Sequence, residues 1–569
     1  MARKLFHLHY AVLFVCGFAA GLSALAIALV FNISLNGLFI PDLASQALVS
    51  LTSGEIESQA VGILGDFAKY SSFIGAIVAN LLLYGIIGVF LGVMFNKIKS
   101  NRFINRSIFS SVVSYVIFLV ITVVLIMINT LPGQNMSIQP VSLAFLILPQ
   151  VAYGFIFSSF FEKLRKDKNS LSAVAERKTR ENDNLTKKQQ QKTTITAEVD
   201  YKKRALLRAI VVSAVAMPLM YFGLSRIFSG SGQQQRQIPS SSSISQIPQL
   251  KSRTIPPGFE GPKMTPLLDA EVTPTYLFYR IDKNTIVPVV DAKQWVLTVK
   301  GLVNTPLSIN YDEIKSMDSV EQFATLSCIS NKIGGDLVST ALWKGIHLKD
   351  LLAKAKVKPN AKYIVFRCSD GYDVGIPLES GLMDGTILAY DMNNQPLTND
   401  HGYPIRAIVP GFYGMMNPKW ITEIDLVDKT YEGFWQRKGW SNKKNENIYS
   451  FIVTPGNQEI KNRFPNLVNE NFAVDKLSPI AGVAFAGDRG ISKIEVSSDG
   501  GNTWKSATIK DPLSKYTWVL WTSGFTPKVG GDYKIVVRAT DKTGQVQTSQ
   551  FEDPFPDGAS GYNMVNAKV

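Results

Sequence analysis

Five stretches of this chain approach or exceed the roughly 20 apolar residues that a helix needs to cross a bilayer. They run at about 10–35, 72–96, 108–129, 139–161 and 205–225. No other feature restricts the fold as much, because a segment in hydrocarbon must satisfy its own backbone and therefore forms a helix. A signal peptide accounts for none of the five, since the first is too long and four more follow. Buried helices of a soluble domain fit poorly, because the runs are almost free of charge.

Charge orients these runs. The formal net charge of +14 on 569 residues first suggests nucleic acid, but much of it lies beside the apolar segments. Arg3 and Lys4 precede the first. Lys97, Lys99, Arg102 and Arg106 fill the turn between the second and third. Residues 162–204 carry 13 Lys/Arg against 7 Asp/Glu. The loops after the first and third runs are acidic or neutral, with Asp42, Glu55, Glu57 and Asp66 in the former. Every basic loop falls on one side, which predicts a multi-pass cell-membrane protein with a cytoplasmic N-terminus. Five crossings place everything after about residue 226 outside the cytoplasm. The lipid bilayer is thus an expected partner and nucleic acid is not. Residues 162–204 read as a solvated, partly helical connector.

The spans hold no histidine, and His7 and His9 lie at the cytoplasmic mouth of the first. Paired intramembrane ligands for haem b are absent, as are intramembrane Asp, Glu and Lys for an ion path. The membrane region 1–226 therefore reads as an anchor or docking surface. Residues 227–254, rich in Ser, Gly, Gln and Pro, read as a flexible linker.

Two outer domains follow. From 255 to 440, short strand-like runs (Gln294–Lys300, Lys362–Arg367) alternate with short helical ones (Leu348–Ala355), which predicts an α+β domain. From 441 to 569 the pattern is all-β. Strands near Ser478, Ile494, Trp518 and Tyr533 are separated by turn signals such as Asp499-Gly-Gly-Asn, which predicts an immunoglobulin-like sandwich. Such a domain more often packs or dimerises than catalyses. Three cysteines exclude a disulfide scaffold, a zinc-finger array and a cysteine-ligated iron–sulfur cluster. Cys16 lies in an apolar run and Cys368 in an expected buried strand. Cys328 stands apart, at a strand-to-loop change beside a polar, glycine-rich stretch. Alone it reads either as a buried structural thiol or as a nucleophile or soft metal ligand.

Five ordered motifs decide between these readings. They are Leu326-Ser-Cys328-Ile-Ser-Asn331 with Gly334-Gly335-Asp336 and Trp343-Lys-Gly345, then Leu388-Ala-Tyr-Asp-Met-Asn393 with Asp400-His401-Gly402-Tyr-Pro404-Ile-Arg406. Val409-Pro410-Gly411 with Asn417, Lys419 and Trp420 comes third, and Gly433-Phe-Trp435 through Trp440 fourth. The last is Ile494 through Trp504. From about 255 to 550 the chain resembles the sulfite oxidase family of molybdopterin enzymes. The resemblance implies a molybdenum–molybdopterin cofactor with Cys328 as its protein ligand. It also implies a dimerisation role for the sandwich. His401, Arg406 and Lys419 are implied in the shell around the anionic pterin, with Phe278, Tyr279, Asn331, Asp370 and Asn417 as further contacts. Arg280 matches a family arginine near both pterin and substrate.

Two departures bear on the substrate. The family's sulfite-binding enzymes carry a second arginine five residues after the cysteine, and here that position is Ile333. Their active-site tyrosine aligns with Trp440, counted here with Cys328 and Arg280 as catalytic, although it has no phenol. In addition, Ser330 replaces a glycine. Sulfite, a smaller oxyanion, and a neutral S-oxide or N-oxide all stay open as substrates. No cytochrome b5 module or haem-attachment motif is present, so a separate cytochrome or copper protein is the expected electron partner. A non-enzymatic reading, a cofactor-free membrane scaffold for protein contacts, is the rival. Enzymes of this kind load their cofactor in the cytoplasm and are exported folded. Lys203-Arg204 before the last run resembles a twin-arginine signal, or else is ordinary positive flanking.

Overall fold

The computed structural model describes residues 2–35, 37–64, 67–97, 103–130, 145–180, 187–232, 255, 258–260, 265–455 and 472–569. Two compact units emerge. The first comprises residues 1–51, 66–231 and 284–286, and the second comprises 52–65, 232–283 and 287–569.

The first unit is helical. α1 (Ala2–Leu35) and α2 (Ile40–Leu51) belong to it, and α3 (Gly54–Leu64) belongs to the second unit. α4 (Phe67–Lys97), α5 (Phe103–Asn129), α6 (Ile147–Arg180) and α7 (Lys187–Gly232) complete it. Among the described residues four helical segments are long and apolar enough to cross a membrane: His9–Leu35, Tyr70–Phe95, Phe103–Asn129 and Lys202–Ser225. The fifth expected span, 139–161, is only partly described. Its start lies outside the described residues, and α6 carries its apolar end straight on to Arg180. Residues 162–180 and 187–204 are therefore helical, because Lys, Arg, Gln and Glu are strong helix formers that need no core. The linker from 233 to 254 lies outside the described residues.

α1 is the buried centre of this unit. A Cβ on Gly17 would lie 2.6 Å from the Tyr84 carbonyl and 2.9 Å from Gly88 Cα, so these glycines let the α1 and α4 backbones touch. Close approach through small residues is how helices associate where no hydrophobic drive separates them from lipid. Arg106 pairs with Glu162 at 3.0 Å and Arg208 with Asp167 at 2.6 Å. Both pairs involve the basic segments that the charge pattern singled out. Lys203 and Arg204 stand exposed on α7.

Among the described residues the second unit contains four sheets. In chain order its strands are β1 (Val296–Gly301), β2 (Leu307–Asn310), β3 (Val320–Ser327), β4 (Val338–His347), β5 (Tyr363–Cys368) and β6 (Asp373–Pro377). β7 (Ile387–Met392), β8 (Gln395–Pro396), β9 (Arg406–Ile408) and β10 (Ile421–Val427) follow. One sheet runs β2-β1-β10-β5-β6, with β1 and β10 parallel. The other runs β3-β4-β7-β8, with β9 paired to β7. Helix Leu348–Ala355 stands where the sequence places it, burying Leu348, Leu351, Leu352 and Ala355 on one face.

The all-β part holds β11 (Tyr449–Thr454), β12 (Ser478–Phe485), β13 (Ile491–Ser497), β14 (Lys505–Ser506), β15 (Thr508–Ile509), β16 (Val519–Phe525), β17 (Asp532–Asp541) and β18 (Asn563–Lys568). They form two four-stranded antiparallel sheets, β11-β12-β16-β15 and β14-β13-β17-β18. Ile480, Val519 and Trp521 of one sheet and Ile494, Ile535 and Val537 of the other share one core. The opposite face of the first sheet is also apolar. Its Phe451, Val483 and Leu520 pack with Val338 of β4 and with Leu267 and Leu268. That second apolar face joins the all-β part to the α+β part in one compact unit.

Glu446, just before β11, is buried, and its Oε2 has no hydrogen-bond partner. Burial pushes its carboxyl up to about 8, against the pull of Arg489. Between the ordinary carboxylate range and about 8 the folded state binds the extra proton, so stability falls as pH rises across that window. Glu446→Gln is expected to gain on the wild type by a few kcal/mol at about pH 9 and to match it near pH 4. Urea unfolding at the two pH values measures this, and a pH-independent difference counts against it.

Candidate active site

β3 ends at Ser327, and the next ten residues form a loop that returns to β4 at Val338. Cys328 opens this loop. Its N–H donates to the Leu337 carbonyl at 2.9 Å, and its carbonyl accepts from Asn331 N–H at 3.1 Å. The Asn331 side chain closes the loop from inside. Its Oδ1 accepts from Leu337 N–H at 3.0 Å, and its Nδ2 donates to the Tyr449 hydroxyl at 3.2 Å. Tyr449 in turn donates to the Gly335 carbonyl at 2.8 Å. Gly334 takes φ +76°, which favours glycine, and a Cβ on Gly335 would strike Asn331 Oδ1 at 2.5 Å. The glycine pair is thus required by the loop that holds the cysteine.

Cys328 is 8% exposed and lines a partly open pocket. Burial pushes its thiol up, while hydrogen bonds from the Ser330 hydroxyl and the Ser330 and Ile329 N–H groups pull it down. The Ser330 hydroxyl lies 3.0 Å from the sulfur.

Across the pocket stands a cluster of buried bases. Arg280 Nε donates to Asp282 at 2.5 Å, and its Nη1 pairs with Asp400. Lys419 pairs with Asp282 and donates to the Asp400 carbonyl at 3.0 Å. The Arg406 guanidinium stacks over Trp343 at 4.9 Å, and its Nη atoms reach the His401 and Asn417 carbonyls at 3.3 Å. Its Nε is buried without a partner. His401 Nε2 donates to the Thr275 carbonyl at 2.9 Å. Burial, with the neighbouring cations, holds His401 down to about 3 and Lys419 to about 8, and burial alone holds Arg406 to about 10 against the pull of Tyr279 and Asp282. These depressions mark cationic side chains taken out of water at the pocket wall. The unpartnered Arg406 Nε and the depressed Lys419 fit an anionic group such as the pterin phosphate.

Of the residues singled out from the sequence, Cys328, Arg280, Trp440, Phe278, Tyr279, Asp370, His401, Arg406, Asn417 and Lys419 all line this pocket. Asn331 is the exception, because its amide is engaged in bracing the cysteine loop. Asn417 lines the pocket with its side chain committed elsewhere: Oδ1 accepts from Val409 N–H at 2.6 Å, and Nδ2 reaches the Phe412 and Tyr413 carbonyls. Asp370 accepts from Tyr372 N–H at 2.9 Å, and burial raises its carboxyl. Ile333 packs against the apolar cluster of Tyr449, Phe451 and Trp518. Sequence reasoning missed Lys283, Tyr372 and Trp435, and also Glu57, Ser58 and Val61 of α3. Lys283 was visible one residue beyond Asp282, whereas the α3 residues lie more than 200 positions from the nearest motif.

Two family models match the outer part of the chain. Residues 284–435 match the oxidoreductase molybdopterin-binding domain, and residues 442–552 match the Mo-co oxidoreductase dimerisation domain. The uncharacterized oxidoreductase YuiH of Bacillus subtilis is 31% identical over 150 residues, covering 26% of this chain and 74% of that protein. This chain belongs to the sulfite oxidase family of molybdopterin-dependent oxidoreductases. The mitochondrial sulfite oxidase of Drosophila melanogaster is 29% identical over 341 residues, and the match spans 52% of this chain and 59% of the fly protein. Sulfite oxidase of Arabidopsis thaliana is 27% identical over 360 residues, or 54% of this chain and 89% of the plant protein. The two family domains begin at residue 284, so α1 to α7 lie outside both.

Proposed function

We propose that this chain is a membrane-anchored, extracytoplasmic enzyme for two-electron oxygen-atom transfer, exchanging electrons with a separate redox protein. The observation that carries this reading is the placement of the buried Cys328 thiol in one pocket with Arg280, Arg406 and Lys419. When bound, the molybdenum–molybdopterin group supplies the oxygen-atom chemistry. Cys328 would be its metal ligand, since an anionic thiolate serves a high-valent metal centre well. Arg406, Lys419 and His401 would hold the anionic pterin, with Asp370 at its edge. Phe278 and Tyr279 would form an aromatic wall, since their rings stack at 5.6 Å. Arg280, fixed between Asp282 and Asp400, would face both cofactor and substrate. Asn331 and Asn417 would hold backbone loops in shape. Trp440 would close the pocket where family members carry tyrosine.

The domain reading is a membrane region at 1–226, a linker at 227–254, a catalytic domain at 255–440 and an immunoglobulin-like dimerisation domain at 441–569. The topology has support besides loop charge. Residues 52–65 follow α1 and precede α4, yet they belong to the second unit. If both helices cross, that segment lies on the side opposite the N-terminus. An odd number of crossings is then needed to bring the chain after 232 to the same side. The apolar start of α6 would supply the fifth crossing. Lys203-Arg204 would mark the last span as an internal export signal for the folded enzyme.

Purification of the full chain from a cofactor-making host tests the proposal. About one molybdenum and one pterin per chain are expected, with dye-linked oxidation of sulfite or reduction of an S-oxide. A protein free of molybdenum and pterin sinks the reading and leaves the scaffold alternative.

A further inference from the structure

The pocket has a wall that the family domains do not provide. On α3, Glu57, Ser58 and Val61 fall on one helical face, and all three line the pocket. The first turn is seated tightly. A Cβ on Gly54 would lie 2.7 Å from the Lys438 carbonyl, 2.8 Å from Trp440 Nε1 and 2.9 Å from the Phe555 ring. The Trp440 ring meets Phe555 edge-on at 5.1 Å. So the tryptophan that replaces the family tyrosine is also part of the seat for α3. Lys438 fastens the helix, donating to the Thr52 carbonyl at 2.6 Å and to Glu57 Oε1 at 3.1 Å.

A plain structural reading makes Glu57 a staple for Lys438. That accounts for Oε1 but not for Oε2, which is buried and has no hydrogen-bond partner. Burial raises the carboxyl to about 7, so it is substantially ionised at and above neutral pH. The other charges of the pocket sharpen its effect. Arg280 and Lys419 are already paired with Asp282 and Asp400. The position of a second family arginine, Ile333, is turned into an apolar cluster. Relative to the family pattern the pocket has lost one cation, and Glu57 adds a carboxylate whose Oε1 is paired with Lys438 while its Oε2 is not paired. A dianion entering it meets repulsion that a neutral molecule does not.

We propose that Glu57 is a specificity-determining residue of the catalytic pocket, selecting against dianions and in favour of substrates without net negative charge. The inference rests on the pocket being the catalytic site. It places a neutral oxo-compound such as an S-oxide or N-oxide ahead of sulfite as the substrate class.

The test uses the full-length, detergent-solubilised, molybdenum-loaded protein, with sulfate as the dianionic probe and dimethyl sulfoxide as the neutral one. Titration calorimetry at about pH 8.5 keeps Glu57 ionised while sulfate stays a dianion. Glu57→Gln is expected to bind sulfate about tenfold more tightly, with sulfoxide affinity unchanged. Gly54→Val, which pushes α3 off its seat, shifts sulfate in the same direction, and Glu57→Asp keeps the wild-type ratio. Equal sulfate affinity in wild type and Glu57→Gln, with molybdenum present in both, overturns the role of Glu57 alone. So does an equal shift for sulfate and sulfoxide. Molybdenum missing from the wild type overturns the catalytic reading of the pocket, and this inference with it.

Discussion

Cys328→Ser lowers turnover by more than about 100-fold, since even outer-shell partners of a metal site cost about 10–100-fold when removed. Cys328 opens the loop after β3, is held by backbone bonds at both its N–H and its carbonyl, and lines the pocket. Serine fits the same loop, because the Cys328 backbone and the Asn331 brace do not involve the sulfur. The variant therefore folds, and its far-ultraviolet spectrum matches the wild type. Its deficit appears in turnover and in the sulfur-to-metal charge-transfer band of the loaded protein. Turnover within tenfold of the wild type would remove Cys328 from the metal.

Asp282→Asn destabilises the second unit by about 3–5 kcal/mol, the usual result of taking one partner from a buried ion pair. The Asp282 side chain is 2% exposed and bridges Arg280 and Lys419, which are 9% and 12% exposed. Asparagine has the same shape, so packing is conserved and only the charge is lost. The midpoint of urea unfolding, followed by tryptophan fluorescence, falls accordingly. An unchanged midpoint means that Asp400 alone suffices for both cations. Leu382→Ala is the comparison: Leu382 is 47% exposed, so a comparable loss there points to a general weakness of the unit.

Much of this architecture is readable from the sequence, because its signals are local. The strands around Val296, Tyr363, Ser478 and Tyr533 and the helix Leu348–Ala355 follow from short apolar patterns. The pocket residues were legible for a different reason. Cys328, His401, Arg406 and Lys419 sit in the ordered motifs, and each lies at or near a strand end: Cys328 just after β3, His401 just before β9, Arg406 in β9 and Lys419 just before β10.

What stayed hidden depends on side-chain direction and on distant contacts. Asn331 and Asn417 lie in the right motifs, but their amides are engaged by backbone groups of their own loops. Only the fold shows which way they point. The basic stretch 162–204 reads as a partly helical connector, and α6 and α7 run through most of it. Glu57 carried no site signal. It was one of four acidic residues in the loop between the first two runs, and its meaning depends on Lys438 and Trp440, some 380 residues later.

The placement of α3 bears on how this enzyme is to be produced. A soluble version is ordinarily made by truncation, keeping residues from about 232 onward and discarding the helices that complicate purification. Here the cut also discards Glu57, Ser58 and Val61, and opens the side of the pocket where Trp440 stands. The fragment keeps every residue of both family domains, yet presents substrates with a cleft that the intact chain does not have. On the role proposed for Glu57, a substrate profile collected on it is tilted toward dianions relative to the intact chain.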